Sequence, residues 1–272
     1  MREITLDEIK QIQLDTVVKI DEFCRKNGIK YFLDGGTGIG AARHQGYIPW
    51  DDDIDIAMTR PNYEKFIHSF NGFDNNLSVY APELDLKFYA TYANVCDNRT
   101  ILCEGANGHM GHEMGIKVDI FPFDGTTKNY ALSVMRHKFL KLLTQIMSRK
   151  RRDMSIVRHT DKWKFFTCLI VRTMFCWISY TSLQKLVCRI AARYPYETST
   201  HAYDVVNPVY KRPVHCLRET FEEYIDITFE GHTLMTIKDY NTYLTALFGD
   251  YMQLPPVEQR VGHHGFTAYW KD

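Results

Sequence analysis

The stretch Ile48-Pro49-Trp50-Asp51-Asp52-Asp53-Ile54-Asp55-Ile56 constrains this chain more than any other. From Asp53 to Met58 carboxylate and apolar residues alternate, which predicts a strand. Successive side chains on a strand take opposite faces, so Asp51, Asp53 and Asp55 would share one face while Ile54 and Ile56 anchor the other in a core. Such a cluster repels itself: two like charges at ~4 Å cost about 4 kcal/mol at an effective dielectric of about 20. Water screens them, one takes up a proton, or a cation sits between them. An all-oxygen ligand set favours Mg²⁺ (or Mn²⁺), both common partners of phosphate-bearing substrates. A plain acidic strand end is the alternative.

Two neighbouring segments sharpen the choice. Upstream, Leu33-Asp34-Gly35-Gly36-Thr37 reads as a strand entering a glycine turn, with a short helix following to about His44. Bare amides in such a turn can cradle phosphate oxygens, and the helix N-terminus adds a favourable dipole. Downstream, Val118-Asp119-Ile120-Phe121-Pro122 places one carboxylate among apolar residues on a predicted buried strand. A buried carboxylate needs a partner. A cation shared with Asp53 and Asp55 would supply one, and a hydrogen-bonded core Asp is the alternative. Two look-alikes fail. The run from Gly36 to Ala41 fits a dinucleotide fingerprint, with Asp55 at the expected distance, but no repeated βαβ units follow. Asp51, Asp53 and Asp55 match the start of a calcium loop, but Ile56 stands where that loop needs glycine and Asn62 where it needs Glu.

The rest of the chain frames this site. Its 272 residues suffice for one large domain or two small ones. Formal net charge is zero, which does not suggest a nucleic-acid partner. Seven cysteines, an odd number with no Cys-x-x-Cys pair, argue against a disulfide framework or a zinc ribbon and fit a reducing, cytoplasmic setting. A polar helical pattern stands at the N-terminus in place of a signal peptide. The predicted elements are a helix over 5–27, strands over 29–33, 53–58, 77–80, 87–95, 100–104 and 116–121, and a helix over 61–70. A loop is expected over 105–115, helices through 128–193, short strands to 229, and a helix over 237–248. Residues 163–180 are the most apolar stretch, but Lys164 and Arg172 leave a run too short to span a bilayer. The resulting expectation is an α+β fold: a catalytic α/β core over 1–125, then a helical region and C-terminal tail over 126–272 that pack on it.

The run GGTGIGAARHQGYIPWDDDIDIAMTRPNYEKF over 35–66 closely resembles the signature of the LicD family. VDIFPFDG at 118–125, FEGHTLMTIKDYNTYL at 229–244 and FGDYMQLPP at 248–256 fit as well, in order. Gly38-Ile39 stands where members usually carry a Leu pair, and Ala42 where a Val is common; both small residues suggest an altered pocket. The resemblance implies a nucleotidyltransferase-like mixed sheet flanked by helices, with a helical insertion in the second half. It implies transfer of a phosphorylated group, often phosphocholine from CDP-choline, to cell-surface glycans such as lipopolysaccharide or teichoic acid; fukutin-related proteins look similar and use CDP-ribitol. It places the metal on Asp53, Asp55 and Asp119, also the catalytic set, and the turn on Gly36 and Thr37.

On that reading an acceptor hydroxyl of a glycan or its lipid-linked precursor attacks the phosphorus distal to the nucleoside, and CMP leaves. Arg43 is a candidate phosphate clamp or a surface ion pair, and Thr37 a phosphate donor or a helix cap. A choline-bearing donor calls for aromatic faces, for which Tyr47, Trp50, Tyr89, Tyr92 and Trp270 are candidates beside their core roles. His264, next to His263 in the tail, is a further substrate-binding candidate, and 109–113 a loop with metal-ligand residue types. The basic cluster at 149–152 is either a solvated helix end or, with the apolar 163–180, a peripheral contact with anionic lipid at the inner face of a membrane. A nucleotide-sugar glycosyltransferase and a non-catalytic metal- or glycan-binding module are the rival functions.

Overall fold

A capping box starts the first long helix: Thr5 Oγ1 accepts from Glu8 N (3.3 Å), and Glu8 Oε2 accepts from Thr5 N (2.9 Å). Gly28, at φ 62°, ends it in the left-handed region that glycine adopts without cost. The computed structural model describes residues 1–85, 88–103, 114–206, 213–262 and 266–271. In chain order the first elements are β1 (Glu3–Ile4), α1 (Leu6–Asn27), β2 (Phe32–Leu33), α2 (Gly35–His44), β3 (Asp55–Thr59) and α3 (Arg60–Ser69). Next come β4 (Leu77–Tyr80), β5 (Ala93–Asp97), β6 (Thr100–Cys103) and β7 (Lys117–Thr126). Four helices follow: α4 (Tyr130–Arg151), α5 (Met154–Thr160), α6 (Lys162–Met174) and α7 (Tyr180–Ala191). The chain closes with β8 (His201–Asp204), β9 (Cys216–Leu217), β10 (Tyr224–Phe229), β11 (His232–Ile237), α8 (Tyr240–Phe248) and β12 (Thr267–Trp270).

The main sheet is mixed, with strand order β2-β3-β7-β5-β4 and β8 joined to the far half of β7. Only β3 and β7 run parallel; the other pairs in this sheet are antiparallel. The tail returns as β12 between β1 and β6, while β10 and β11 form a separate hairpin. This is the α+β architecture expected, a mixed sheet flanked by helices. Each face of the sheet backs a core. Ile54, Ile56, Met58, Val118 and Ile120 meet α1 and α3, while Ala57, Phe121 and Phe123 meet α4, α7 and α8. Residues from the C-terminal half, among them Phe229, Leu234 and Tyr243, complete both cores, and β7 runs continuously through residues 125 and 126.

Several elements differ from expectation for identifiable reasons. Asp34 accepts from Gly35 N (2.8 Å), so α2 begins at Gly35, and Gly36 and Thr37 lie inside its first turn, not in a free glycine turn. The strand expected over 53–58 starts at Asp55, because a turn closed by Asp51 N to Ile48 O (2.9 Å) shapes the residues before it. The strand expected over 87–95 begins at Ala93, since Gln184 Nε2 reaches the carbonyls of Phe88 (2.5 Å) and Ala90 (2.6 Å) and takes the place of a strand partner there. The apolar stretch 163–180 breaks between α6 and α7, where Ser179 caps the second helix through Ser182 N (3.0 Å). Ile237 pairs with Tyr224 in the hairpin and not with α8. The loop expected over 105–115 lies largely outside the described residues.

One buried ion pair braces the sheet. Arg60 opens α3 and grips Asp124 of β7 through two bonds, Nε to Oδ1 and Nη2 to Oδ2, each 2.8 Å. Asp124 is only 1% exposed, and removing it leaves the Arg60 guanidinium, 12% exposed, with Glu83 (3.2 Å) as its remaining carboxylate partner. Asp124→Ala should lower stability by about 3–5 kcal/mol in urea unfolding, and adding Arg60→Leu should recover part of that loss.

Candidate active site

The parallel register of β3 and β7 sets Asp55 directly beside Asp119, and β5 sets Asn94 on the far side of Asp119. Paired residues on neighbouring strands point to the same face. Asp55, Asp119 and Asn94 therefore form one row across the sheet. Asn94, fully buried, donates to Asp119 Oδ1. Lys117, two residues before Asp119 and so on the same face, brings its ammonium to 3.2 Å of Oδ1 and 3.4 Å of Oδ2. Burial pushes the Asp55 carboxyl well above the ordinary range, and the charges of Asp53, Asp119 and Asp34 push it further.

Asp51, Asp52 and Asp53 lie just before this row. Each offers an oxygen within 4.8 Å of the others, the one such grouping of three among the described residues. Asp53, Asp55 and Asp119 are not drawn that close together, although the charges of Asp53 and Asp119 both act on Asp55. The two sets meet at Asp53. Ile54 and Ile56 are buried, as the alternation requires, but Asp51 and Asp53 are placed by the preceding turn rather than by a strand face. A cavity of about 70 Å³ opens beside Asp53, Lys117 and Asp119, with apolar walls from Ile9, Ile54, Leu102, Ile116 and Phe266.

The first turn of α2 abuts this acidic row. Thr37 Oγ1 accepts from Asp55 N (2.9 Å) and pins the start of β3. A side chain at Gly36 would place its Cβ 2.5 Å from Asp51 Oδ2, so only glycine lets that carboxylate lie on the helix start. The positive end of the helix dipole thus faces the aspartates. Asp34, the cap of α2, accepts from the Tyr243 hydroxyl of α8, and burial raises its carboxyl to about 6.

The other expected site residues divide. Arg43 donates from Nη1 to the carbonyls of Tyr251 (2.6 Å) and Gln253 (3.3 Å), which ties α2 to the tail and is neither the free clamp nor the surface ion pair expected. Trp50 sits one residue before Asp51 with the Arg260 guanidinium 5.7 Å from its ring centroid. Tyr47 feels the charges of Glu230, Asp53 and Asp51, and Tyr92 that of Asp119, so both border the site. Tyr89 is covered by Arg151, and Trp270 lies between Arg2 and Arg99. The small residue at 38 does not widen a pocket: its Cβ would meet Leu33 O at 2.9 Å and Leu244 at 3.3 Å, so it lets α2 pack closely. His264 and the 109–113 segment lie outside the described residues. Sequence reasoning missed Asn94 and Lys117; a polar residue within Ala93-Asn94-Val95 and a lysine two before Asp119 were the available signals.

The metal-free protein holds a proton on Asp55 at pH values where the unfolded chain, with the ordinary value of 3.8, has lost it. Stability from this group is therefore greatest at low pH and falls as pH rises above about 4. Asp55→Asn should flatten that slope. It should raise the metal-free Tm at neutral pH by about 2–4 °C for each kcal/mol of repulsion relieved, and remove any stabilisation by Mg²⁺. Thermal melts at several pH values, with and without Mg²⁺, check all three.

Comparison with known proteins agrees with this architecture. A family model described as the LicD/FKTN/FKRP nucleotidyltransferase domain matches residues 28–142, which hold α2, the acidic run and Asp119. The chain is 29% identical to the lipopolysaccharide cholinephosphotransferase LicD of Haemophilus influenzae, over 99% of both chains. Ribitol 5-phosphate transferase FKRP of Homo sapiens and of Mus musculus is 52% identical over 31 residues, 11% of this chain and 6% of theirs. Residues 28–142 thus carry a domain that matches the LicD family model, and similarity to the LicD of Haemophilus influenzae extends it over the length of the chain.

Proposed function

We propose that this protein transfers phosphocholine from CDP-choline to a hydroxyl of a cell-surface glycan or its lipid-linked precursor, releasing CMP. The carrying observation is the lateral pairing of Asp55 with Asp119, with Asp53 at the edge of the same row, in a chain that matches a cholinephosphotransferase from end to end. Like charges held this close on a rigid sheet store repulsion that a divalent cation relieves. The donor set is oxygen only, which suits Mg²⁺ or Mn²⁺ and a diphosphate. Asp53, Asp55 and Asp119 would hold the ion, with Asp51 within reach of Asp53. When bound, it neutralises charge on the diphosphate and on the departing CMP.

The chain's own groups do the rest. The first turn of α2, at Gly36 and Thr37, aligns the acidic row and directs its dipole at bound anions. Asn94 and Lys117 fix the Asp119 carboxylate. A carboxylate that already shares its oxygens with an amide and an ammonium is a poor proton acceptor, so we assign Asp119 to ligation and not to proton abstraction. The acceptor oxygen forms its bond to the choline-bearing phosphorus as the bond from that phosphorus to the CMP oxygen breaks, and the acceptor proton is released. Tyr47 and Tyr92 border the aspartates and Trp50 precedes them; Lys10 lies over the Tyr47 ring and Arg260 over that of Trp50, so a choline ammonium would take the place of a resident cation there. All seven cysteines are free thiols, which fits the cytoplasm.

The test is transfer from CDP-choline, CDP-ribitol, CDP-glycerol and nucleotide sugars to a glycan acceptor, with the released nucleotide identified. CMP released from CDP-choline supports the proposal, and release of a nucleoside diphosphate from a nucleotide sugar overturns it. Asp53→Asn and Asp119→Asn should each lower kcat by about 100-fold or more, and chelation should abolish turnover until Mg²⁺ or Mn²⁺ is restored.

A further inference from the structure

The zero net charge conceals a segregation. Residues 130–193 carry fourteen Lys and Arg against two Asp, a net charge of +12, so the remainder of the chain carries −12. This basic region is the helical unit α4 to α7. Its helix α6 is turned inside out relative to an ordinary surface helix. Cys168 is its only buried residue, while Trp163, Phe166, Ile170 and Met174 fall at helical spacing on one exposed stripe, extended by Trp177 just beyond. These five side chains are 55% to 78% exposed. The 149–152 cluster is fastened beside them: Arg172 Nη2 donates to the carbonyls of Lys150 (2.8 Å) and Arg152 (2.6 Å), and Lys150 Nζ donates to Phe175 O (2.8 Å).

We propose that α6 and the 149–152 cluster form a docking surface for an anionic lipid bilayer, with α6 lying in the plane of the interface. Three observations select this occupant. A second copy would bring one +12 surface against another, which charge disfavours. A nucleic acid would meet the cations, but it leaves the aliphatic Ile170 and Met174 without a role. A bilayer surface satisfies both sets: apolar side chains enter the acyl boundary, tryptophans near the two ends of the stripe settle at headgroup level, and cations meet lipid phosphates. No helix among the described residues is long and apolar enough to cross a membrane, so the contact is peripheral. The surface is separate from the carboxylate site, and its test does not depend on the reaction proposed above.

Full-length protein should co-sediment with vesicles of phosphatidylglycerol and phosphatidylcholine, with binding lost at high salt and absent from pure phosphatidylcholine. Tryptophan emission should shift to the blue on binding, and the Trp163→Phe/Trp177→Phe variant should lose that shift. Lys162→Glu/Lys164→Glu and Phe166→Ser/Ile170→Ser should each weaken binding by about tenfold or more, with unchanged melting curves. The altered residues are exposed, so these variants keep the fold. Equal binding to neutral vesicles, wild-type binding by both double variants, binding to duplex DNA in place of vesicles, or a dimer in which Trp163 and Trp177 are shielded would each overturn the proposal.

Discussion

Like charges held side by side are the constraint on which this structure turns. The β3–β7 register places Asp55 against Asp119, and no flexible loop allows the two carboxylates to drift apart. The sheet resists their repulsion because Ile54, Ile56, Val118 and Ile120 on its other face are locked into a core with α1 and α3. Around the row, the fold supplies partial compensation: the amide of Asn94, the ammonium of Lys117 and the positive end of α2. Each is weaker than a divalent cation at the same place. A chain with this arrangement carries a standing cost, of the kind that the cation proposed above would offset.

The later motifs act as braces. Glu230 and Gly231, at φ 47° and 76°, turn the β10–β11 hairpin, and the Glu230 carboxylate accepts from Tyr47 N (2.9 Å) while Glu230 N donates to Gln45 O (2.8 Å). The loop that feeds the acidic run is thus fixed by a residue nearly two hundred positions away. Tyr243 holds the cap of α2 through Asp34, and the carbonyls of Tyr251 and Gln253 hold Arg43. Two later sequence pieces, 229–244 and 248–256, therefore converge on α2 and the residues that follow it. Their shared occurrence with the first motif has a mechanical reason: without them the helix start and the aspartates would not keep a fixed relation.

What could be read from the sequence was local. Alternation about Ile54 and Ile56 identified which side of the segment enters the core, and Thr5 with Glu8 and Gly28 mark both ends of α1. The Asp119 segment was recognisable as a buried strand carrying a carboxylate. Its neighbours were not, because a parallel pairing between residues 64 positions apart leaves no periodic trace in either strand. The same limit explains Arg43: a guanidinium after a glycine-rich turn suits a phosphate, and nothing nearby shows that distant carbonyls claim it first. The glycine turn itself failed as a reading because a single buried side chain, Asp34, starts the helix one residue after the strand. Gly38 was legible as a departure in size, but its consequence depended on Leu33 and Leu244, which only the packed fold brings to it.

Composition misled in one respect that bears on how the molecule works. A total of zero excluded polyanion binding only for a chain with evenly mixed charge, and here the charges are sorted along the sequence. The sorting follows the architecture: the acidic share lies with the sheet units and their aspartate row, the basic share with α4 to α7. Two opposed regions of this magnitude give the protein a preferred orientation in any external field. Near a negative surface the helical unit is attracted and the acidic remainder repelled, beyond what either apolar contact or a specific ligand contributes. The helices inserted after β7 therefore do more than cover the sheet. Their ties to the core, through Arg136 Nη1 to the Gly125 carbonyl of β7 (3.4 Å) and through Leu140, Val187 and Phe123 in a shared cluster, make the orientation of the charged face that of the aspartate row as well. A rigid link of this kind lets one surface decide which way the other faces.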